Sequence, residues 1–467
     1  MVVPRYSLAG LVNEAEQDRI CPIRYLHNPL QSNPPWIRRC AISFPRGGGE
    51  VHNTKERVFN TLNPLNGICD VPYCSSIADV YETRFWKEGL EAGRTTIYLL
   101  ASEKDAEHLP VKHGMSIQDI ARRELRPGFK HRVLRCPGYM YPFTTDARRY
   151  ELICVFALLL FLFDDRSEVV GDKEVPLLID DFCKRLEDPK FTSKLAKTPL
   201  QAFLDQVTLD VRAADAQKGN GGEDMYRELR NHALQSISPP KKFTSLDEYL
   251  RFRDGNICAG WTFAAVKFSL ASSINIKDPA IAHFMKLATE HLSIANDIYS
   301  YEKEARAYHT GECPDLINFV TVVQQLLSCP DEATALEISY ALLLQREQWI
   351  WEELKRLESE NLSEEMWDFL KGMWANLSGN TFFSMTTVRY GGEKSRIPKQ
   401  MTALGQVKSP ECCCGMSGKA ASDSGYSDDA SDGVSKIETP KGLGKVVSLN
   451  DVNKVDASNG INKVLAK

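Results

Sequence analysis

No stretch of this chain is long and apolar enough to cross a bilayer. The longest apolar run, Leu152–Phe163, includes a cysteine and falls short of the ~20 residues a spanning helix needs. Met1–Glu14 lacks the apolar core of a signal peptide. A basic excess is missing too: 57 Lys and Arg stand against 62 Asp and Glu, a net charge of −5, so no electrostatic footprint for nucleic acid is present. Thirteen cysteines are scattered without paired spacing, and Cys412–Cys414 has no matching Cys/His pair. That argues against zinc, and the cluster lacks the juxtamembrane context of a lipidation site. Reduced thiols in a cytoplasmic protein account for the cysteines most simply. No internal repeat and no long alternation of apolar and polar residues is visible, which excludes a sheet-based core. These absences describe a soluble, all-α protein, with no nucleic acid, no stable membrane insertion and no protein partner evident. Its composition, 43% hydrophobic and 25% charged, is ordinary for a globular chain.

Three regions follow from the composition. Residues 1–75 are rich in Pro, Gly and Asn and read as an irregular extension, packed on the core through Trp36, Ile37 and Ile42. Residues 76–392 form the helical domain. Ile77–Leu90 has helical spacing, with Gly93 as its stop. Thr144–Asp146 supplies N-cap residues for a helix running to Asp165. Pro176–Leu186, Leu200–Ala216, Leu246–Ser272, Ala280–Tyr308, Ile317–Leu327 and Asp331–Glu358 follow as helices. A last one runs from Glu364 to about Tyr390. Residues 393–467 are dominated by Ser, Gly, Asp and Lys, bury too little to offset their ordering entropy, and are expected to be a disordered tail.

Within the helical region one segment carries chemistry. Ala295–Ala305 reads A-N-D-I-Y-S-Y-E-K-E-A, so Asn296, Ser300 and Glu304 lie four residues apart and share one helix face. An amide oxygen, a hydroxyl and a carboxylate make a column of hard oxygen ligands, the kind that suits Mg²⁺. Lys303 stands beside the column, where it could meet an anion held by the metal. Taken alone the column could equally be a solvated helix face. A second acidic group, Phe161–Glu168 (F-L-F-D-D-R-S-E), closes the apolar run. Asp164 and Glu168 are again i and i+4, and buried carboxylates without a counter-charge would be costly. A cation held between the two groups removes that cost.

The pair Asp-Asp-x-x-Glu and Asn-Asp-x-x-Ser-x-x-x-Glu resembles the motif pair of class I terpene cyclases, with flanking residues similar to the fungal sesquiterpene branch. The likeness runs from about Ser75 to Gly392, roughly two thirds of the chain. It implies a single helical bundle of about ten helices around a deep apolar cavity, three Mg²⁺ ions and a prenyl diphosphate substrate. It also implies that Asp164 ligates two ions, with Asp165 and Glu168 beside it, and that Asn296, Ser300 and Glu304 ligate the third. Arg251, Asp254 and Gly255 (R-F-R-D-G) resemble the family's diphosphate sensor, linker and effector. Arg389-Tyr390 resembles the Arg-Tyr pair that bonds diphosphate as the site closes; an arginine fork suits that work. Related cyclases often carry Trp six residues before this Arg, whereas this chain has Phe383, a weaker π-face.

Pocket aromatics are sought among Phe156, Phe161, Trp261, Phe263, Tyr299 and Trp374, at least half of them ordinary core. Bulky residues before the first motif, Phe156 and Leu160 foremost, would shorten the pocket for C15 farnesyl diphosphate and favour a sesquiterpene product. A C20 diterpene cyclase would share every motif. A chain-elongating prenyltransferase would carry a second aspartate-rich motif in place of Asn296–Glu304. A non-catalytic helical binding protein would not need the two ligand columns to converge.

Overall fold

The computed structural model describes residues 41–46, 59–61, 75–77, 80–102, 117–125, 133–167, 175–196, 198–234, 240, 242–311, 313 and 315–391, with the backbone alone described over 59–61, 162–167, 175–180 and 233–234 and at 117, 120, 123, 386, 388 and 391. The chain divides into two compact units, Met1–Gly405 and Gln406–Lys467. Every described residue lies in the first.

Ahead of the helices, Phe59–Thr61 (β1) pairs antiparallel with Tyr81–Thr83 (β2). These three-residue strands are the one named sheet among the described residues, a small departure from the sheet-free expectation. Ile42 bridges Ile77 in parallel and donates its N–H to the Ser76 carbonyl at 2.8 Å. Ser76 in turn gives its backbone N–H and hydroxyl to the buried Glu347 carboxylate, at 2.6 and 2.5 Å. The other Glu347 oxygen lies 3.2 Å from His291 Nε2. Ile42 therefore packs on the core as expected; Trp36 and Ile37 fall outside the described residues.

The first long helix, α1, spans Trp86–Ala101. The expected helix over Ile77–Leu90 is thus displaced: its first half is bridge and strand, and Gly93 lies mid-helix. A Cβ on Gly93 would strike the Leu134 side chain, so the glycine serves close packing rather than termination. Next come α2 (Ile117–Glu124), α3 (Cys136–Met140) and α4 (Ala147–Ser167). Asp146 Oδ1 caps α4 by accepting from the Arg149 N–H at 2.9 Å, as the Thr144–Asp146 signal predicts. Then follow α5 (Val175–Glu187), α6 (Pro189–Thr192) and α7 (Pro199–Asp215). Helix α8, Gly221–Leu234, is absent from the sequence reading, because its opening K-G-N-G-G looks like a loop. A Cβ on Gly221 would meet the Phe268 backbone at 2.5 Å, so this glycine lets two helices touch.

Leu246–Ser272 is not one helix. It splits into α9 (Leu246–Asn256) and α10 (Ala259–Ser269). Between them Cys258 adopts a left-handed backbone with φ 57°, which costs a non-glycine residue roughly 1–2 kcal/mol and is typical of strain held at a site. The remaining helices are α11 (Ala282–His309), α12 (Phe319–Leu327), α13 (Glu332–Leu357), α14 (Glu364–Thr386) and α15 (Val388–Gly391). The expected last helix therefore breaks at Thr387, which is extended (ψ 133°). Side-chain caps set several starts: Ser245 accepts from the Glu248 N–H at 3.1 Å and Asp331 from the Thr334 N–H at 2.8 Å.

Helix α10 packs on α8, α11 on α13 and α14, and α14 on α3. Every residue of α10 except Gly260 is buried, so this helix lies in the centre of the fold. A Cβ on Gly379 of α14 would collide with the Tyr139 carbonyl. The all-α bundle expected from the sequence is the architecture found. No helix among the described residues is long and apolar enough to cross a membrane, and the six described cysteines, among them Cys136 and Cys258, are free thiols.

Candidate active site

A cavity of about 420 Å³ opens where α3, α4, α9, α10, α11 and α14 meet. Its apolar wall comes from Met140, Tyr141, Ala157, Leu160, Phe161, Trp261, Leu292 and Phe383. Its polar side comes from Arg253, Asn256, Asn296, Asp297, Lys303 and Glu304, with the exposed Asp315 beside them.

Helix α11 presents the oxygen column. Asn296 and Glu304 are half-buried and line the cavity. Ser300, between them, is 3% exposed, and its Oγ has no hydrogen-bond partner among the described residues. Both ends of the Asn296 amide are held. Its Nδ2 donates to the Tyr390 hydroxyl at 3.0 Å, and its Oδ1 accepts from Arg253 Nη2 at 3.2 Å. Arg253 also reaches Asp297 Oδ1 at 2.7 Å. Asp297 Oδ2 accepts from the Tyr249 hydroxyl and, at 3.0 Å, from the Phe319 N–H. Burial pushes Asp297 up to about 6; Arg253 opposes the rise and Glu304 adds to it. Burial also pushes Tyr249 up, so its hydroxyl stays protonated and donates. Asn318 locks the next turn of the column: its Nδ2 donates to the Asp297 carbonyl at 2.8 Å and to Glu304 Oε2 at 2.9 Å, while its Oδ1 caps α12 at the Val320 N–H.

The expected residues are thus partly assembled. Asn296, Lys303, Glu304, Phe383 and Tyr390 all line the cavity. Arg389 lies with its guanidinium 5.3 Å from the Phe161 ring centroid. Asp164 and Asp165 fall in the last turn of α4. Asp164 is three and four residues beyond the cavity-lining Phe161 and Leu160, hence in register with that face. Glu168 lies outside the described residues. Arg251, Asp254 and Gly255 do not line the cavity; the Arg251 side chain is 73% exposed and pairs with Asp247 at 3.1 Å. Phe156 is buried against Tyr226, ring centroids 5.7 Å apart, so it shapes the core and not the pocket. Among the six aromatics considered, Phe161 and Trp261 line the cavity, while Phe263, Tyr299 and Trp374 are core.

Sequence reasoning missed Arg253, Asn318 and Asn380. For Arg253 the signal was present: it lies four residues after Tyr249, on the buried face of α9, whereas Arg251 lies on the outer one.

The donor set fits a hard divalent cation. It is all oxygen, and the orphaned Ser300 hydroxyl is a buried polar atom waiting for a partner. Among the described residues no group of three His, Cys, Asp or Glu side chains could hold a metal, so the column depends on Asn and Ser.

The model of terpene synthase family 2, C-terminal metal binding, matches residues 156–348, a span containing α4 from Phe156 and the whole oxygen column. Terpene cyclase 6 of Gibberella fujikuroi is 25% identical over 329 residues, 69% of this chain and 83% of that protein. The chain is a class I terpene cyclase of the fungal type. The cyclase is similar in fold to the crystal structure of aristolochene synthase from Penicillium roqueforti, with a TM-score of 0.50 at 18% identity, covering 64% of this chain and 95% of that one. It is also 23% identical over 254 residues to a cyclopiane-type diterpene synthase of Penicillium chrysogenum, covering 52% of this chain and 32% of that protein. The cyclase is therefore an enzyme, a lyase acting on a prenyl diphosphate, and its family carries a metal-binding C-terminal region.

Proposed function

We propose that this cyclase ionises farnesyl diphosphate in a Mg²⁺-dependent reaction, cyclises the C15 cation and releases diphosphate. The observation that carries the reading is an apolar cavity with an oxygen column on its polar side, one member of which, Ser300, is buried and has no partner among the described residues. Asn296, Ser300 and Glu304 would hold one Mg²⁺, and Asp164, with Asp165 and Glu168, two more. Bound Mg²⁺ supplies the Lewis-acid charge that takes up the negative charge of the departing diphosphate.

The protein's own groups do the rest. Lys303, Arg389 and Tyr390 orient the diphosphate, with Arg253 keeping the Asp297–Asn296 turn in place. Asn296 would ligate metal through Oδ1, so its contact with Arg253 has to loosen, while the Nδ2 bond to the Tyr390 hydroxyl can persist and orient the amide. Arg251, Asp254 and Gly255 reach the diphosphate only when α9 moves about the break at Cys258. Leu160, Phe161, Trp261 and Phe383 exclude bulk water and fold the chain. Burial pushes the Cys136 thiol on the cavity wall up, so it stays neutral beside a carbocation. The cavity lies near the small end of the ~300–1,000 Å³ typical of ligand pockets, which favours C15 over C20.

Incubation with C10, C15 and C20 prenyl diphosphates, with Mg²⁺ or with excess EDTA, tests this by gas chromatography–mass spectrometry. The expected result is a C15 product that chelation abolishes. A higher kcat/KM for geranylgeranyl diphosphate would replace C15 with C20. Full activity in EDTA would remove the metal mechanism.

A further inference from the structure

We propose that Asn380 and Trp261 form a hydrogen-bonding subsite for one water molecule inside the apolar cavity, so that the final cation is quenched by water and the product is a terpene alcohol. This rests on the cyclase reading above and extends it to the last chemical step.

Helix α14 is buried along its middle, yet carries Asn376, Asn380 and Ser384 at i, i+4 and i+8, with exposures of 0, 9 and 0%. Polar side chains in such a place need a use. Asn376 has one: its Nδ2 donates to the Met140 carbonyl at 3.0 Å. Asn380 does not. Its Nδ2 is buried without a partner among the described residues, and the residue lines the cavity together with Phe383. Trp261 repeats the pattern from α10. It is 4% exposed, lines the same cavity, and its Nε1 has no partner among the described residues.

Buried polar groups are normally satisfied by protein or by ordered water, and an unmet one costs more than a made bond returns. The space these two residues share is the cavity. An amide offers both donor and acceptor and an indole a donor, which together match water. Neither group is charged, so the subsite takes a neutral molecule and leaves the anionic diphosphate to the polar side. Asn380 lies six residues before the end of α14, roughly 9 Å along its axis, away from the contact of Tyr390 with Asn296. Water held there meets the hydrocarbon end of the reaction.

In the quench an oxygen lone pair of water forms a C–O bond to the cationic carbon. One O–H bond of the resulting oxonium then breaks, and its proton passes to the diphosphate released earlier in the same turnover. The overall change is prenyl diphosphate plus water giving alcohol plus hydrogen diphosphate, with no oxidant or reductant.

The test is turnover of farnesyl diphosphate with Mg²⁺ in H₂¹⁸O, read by mass spectrometry. The wild-type product is expected to be an alcohol carrying ¹⁸O. Asn380→Leu should lower the alcohol-to-hydrocarbon ratio about tenfold, the scale of one lost buried hydrogen bond, while substrate consumption persists. Trp261→Phe keeps a ring and removes the N–H, so it should shift the ratio the same way even where Asn380→Leu folds poorly. Terpene formation by the wild type with no ¹⁸O in any product overturns the water subsite and leaves the cyclase reading intact. An ¹⁸O-labelled alcohol whose ratio neither variant alters overturns the assignment to Asn380 and Trp261. No terpene from any prenyl diphosphate overturns both readings.

Discussion

Arg251 and Arg253 stand two residues apart on α9 and should behave oppositely when truncated. Arg253 is 12% exposed and its partner Asp297 2%. Removing one member of a buried ion pair costs about 3–5 kcal/mol when the other charge is left uncompensated. Here Asp297 keeps the Tyr249 hydroxyl and the Phe319 N–H, and its carboxyl is already pushed up to about 6 by burial. Part of the penalty is therefore relieved, leaving the loss of one charge-assisted bond and one contact to Asn296, about 2–3 kcal/mol for Arg253→Ala. Arg251 is 73% exposed and Asp247 54%, a surface pair contributing roughly 0–1 kcal/mol. Urea unfolding measures both: Arg253→Ala should lower the midpoint with an unchanged m-value, and Arg251→Ala should leave it near wild type. A cycle with Asp297→Asn should show coupling of at least about 1 kcal/mol. Equal destabilisation by the two alanines, or no coupling with Asp297, would refute the assignment of Arg253 as the structural arginine. Turnover adds an independent reading: Arg251→Ala should reduce kcat if α9 carries the sensing arginine toward diphosphate, and unchanged kinetics would return Arg251 to the surface.

Four further outcomes are expected. Ser300→Ala removes a hydroxyl that bonds nothing among the described residues, so the melting temperature without metal should hold or rise, while stabilisation by Mg²⁺ with diphosphate shrinks; a lower metal-free melting temperature would contradict the orphaned hydroxyl. Gly379→Ala drives a methyl into the Tyr139 carbonyl and should cost at least about 1–3 kcal/mol, measured by thermal unfolding. Leu160→Ala should broaden the product mixture and cost about 2 kcal/mol, whereas Phe156→Ala should destabilise more and change products less, because Phe156 packs on Tyr226. Deleting Gln406–Lys467 should leave turnover and melting temperature unchanged, and a fall of many degrees would assign that segment a place in the folded core.

The local chemistry of this protein was legible in the order of its residues. A four-residue repeat of Asn296, Ser300 and Glu304 can only be a column on a helix, since 3.6 residues per turn leaves no other arrangement. Caps at Asp146, Ser245 and Asp331 announce helix starts because unpaired N–H groups need acceptors nearby in sequence. Long-range approach decided the rest. Gly93 and Gly221 read as breakers, yet serve as contact points for Leu134 and Phe268, partners 41 and 47 residues away. The break at Cys258 has only a faint local signal in Gly255-Asn256, and the helical pattern that resumes at Ala259 hid it. Which arginine of R-F-R-D-G turns inward depends on the face that α9 presents to α11, and this rotation placed Arg253 on Asp297 and left Arg251 in water. The same holds for Phe156 and Leu160, one turn apart on α4: only packing against α8 sends the first to Tyr226 and leaves the second on the cavity. Sequence spacing determines which side chains share a face, and tertiary packing determines what that face meets.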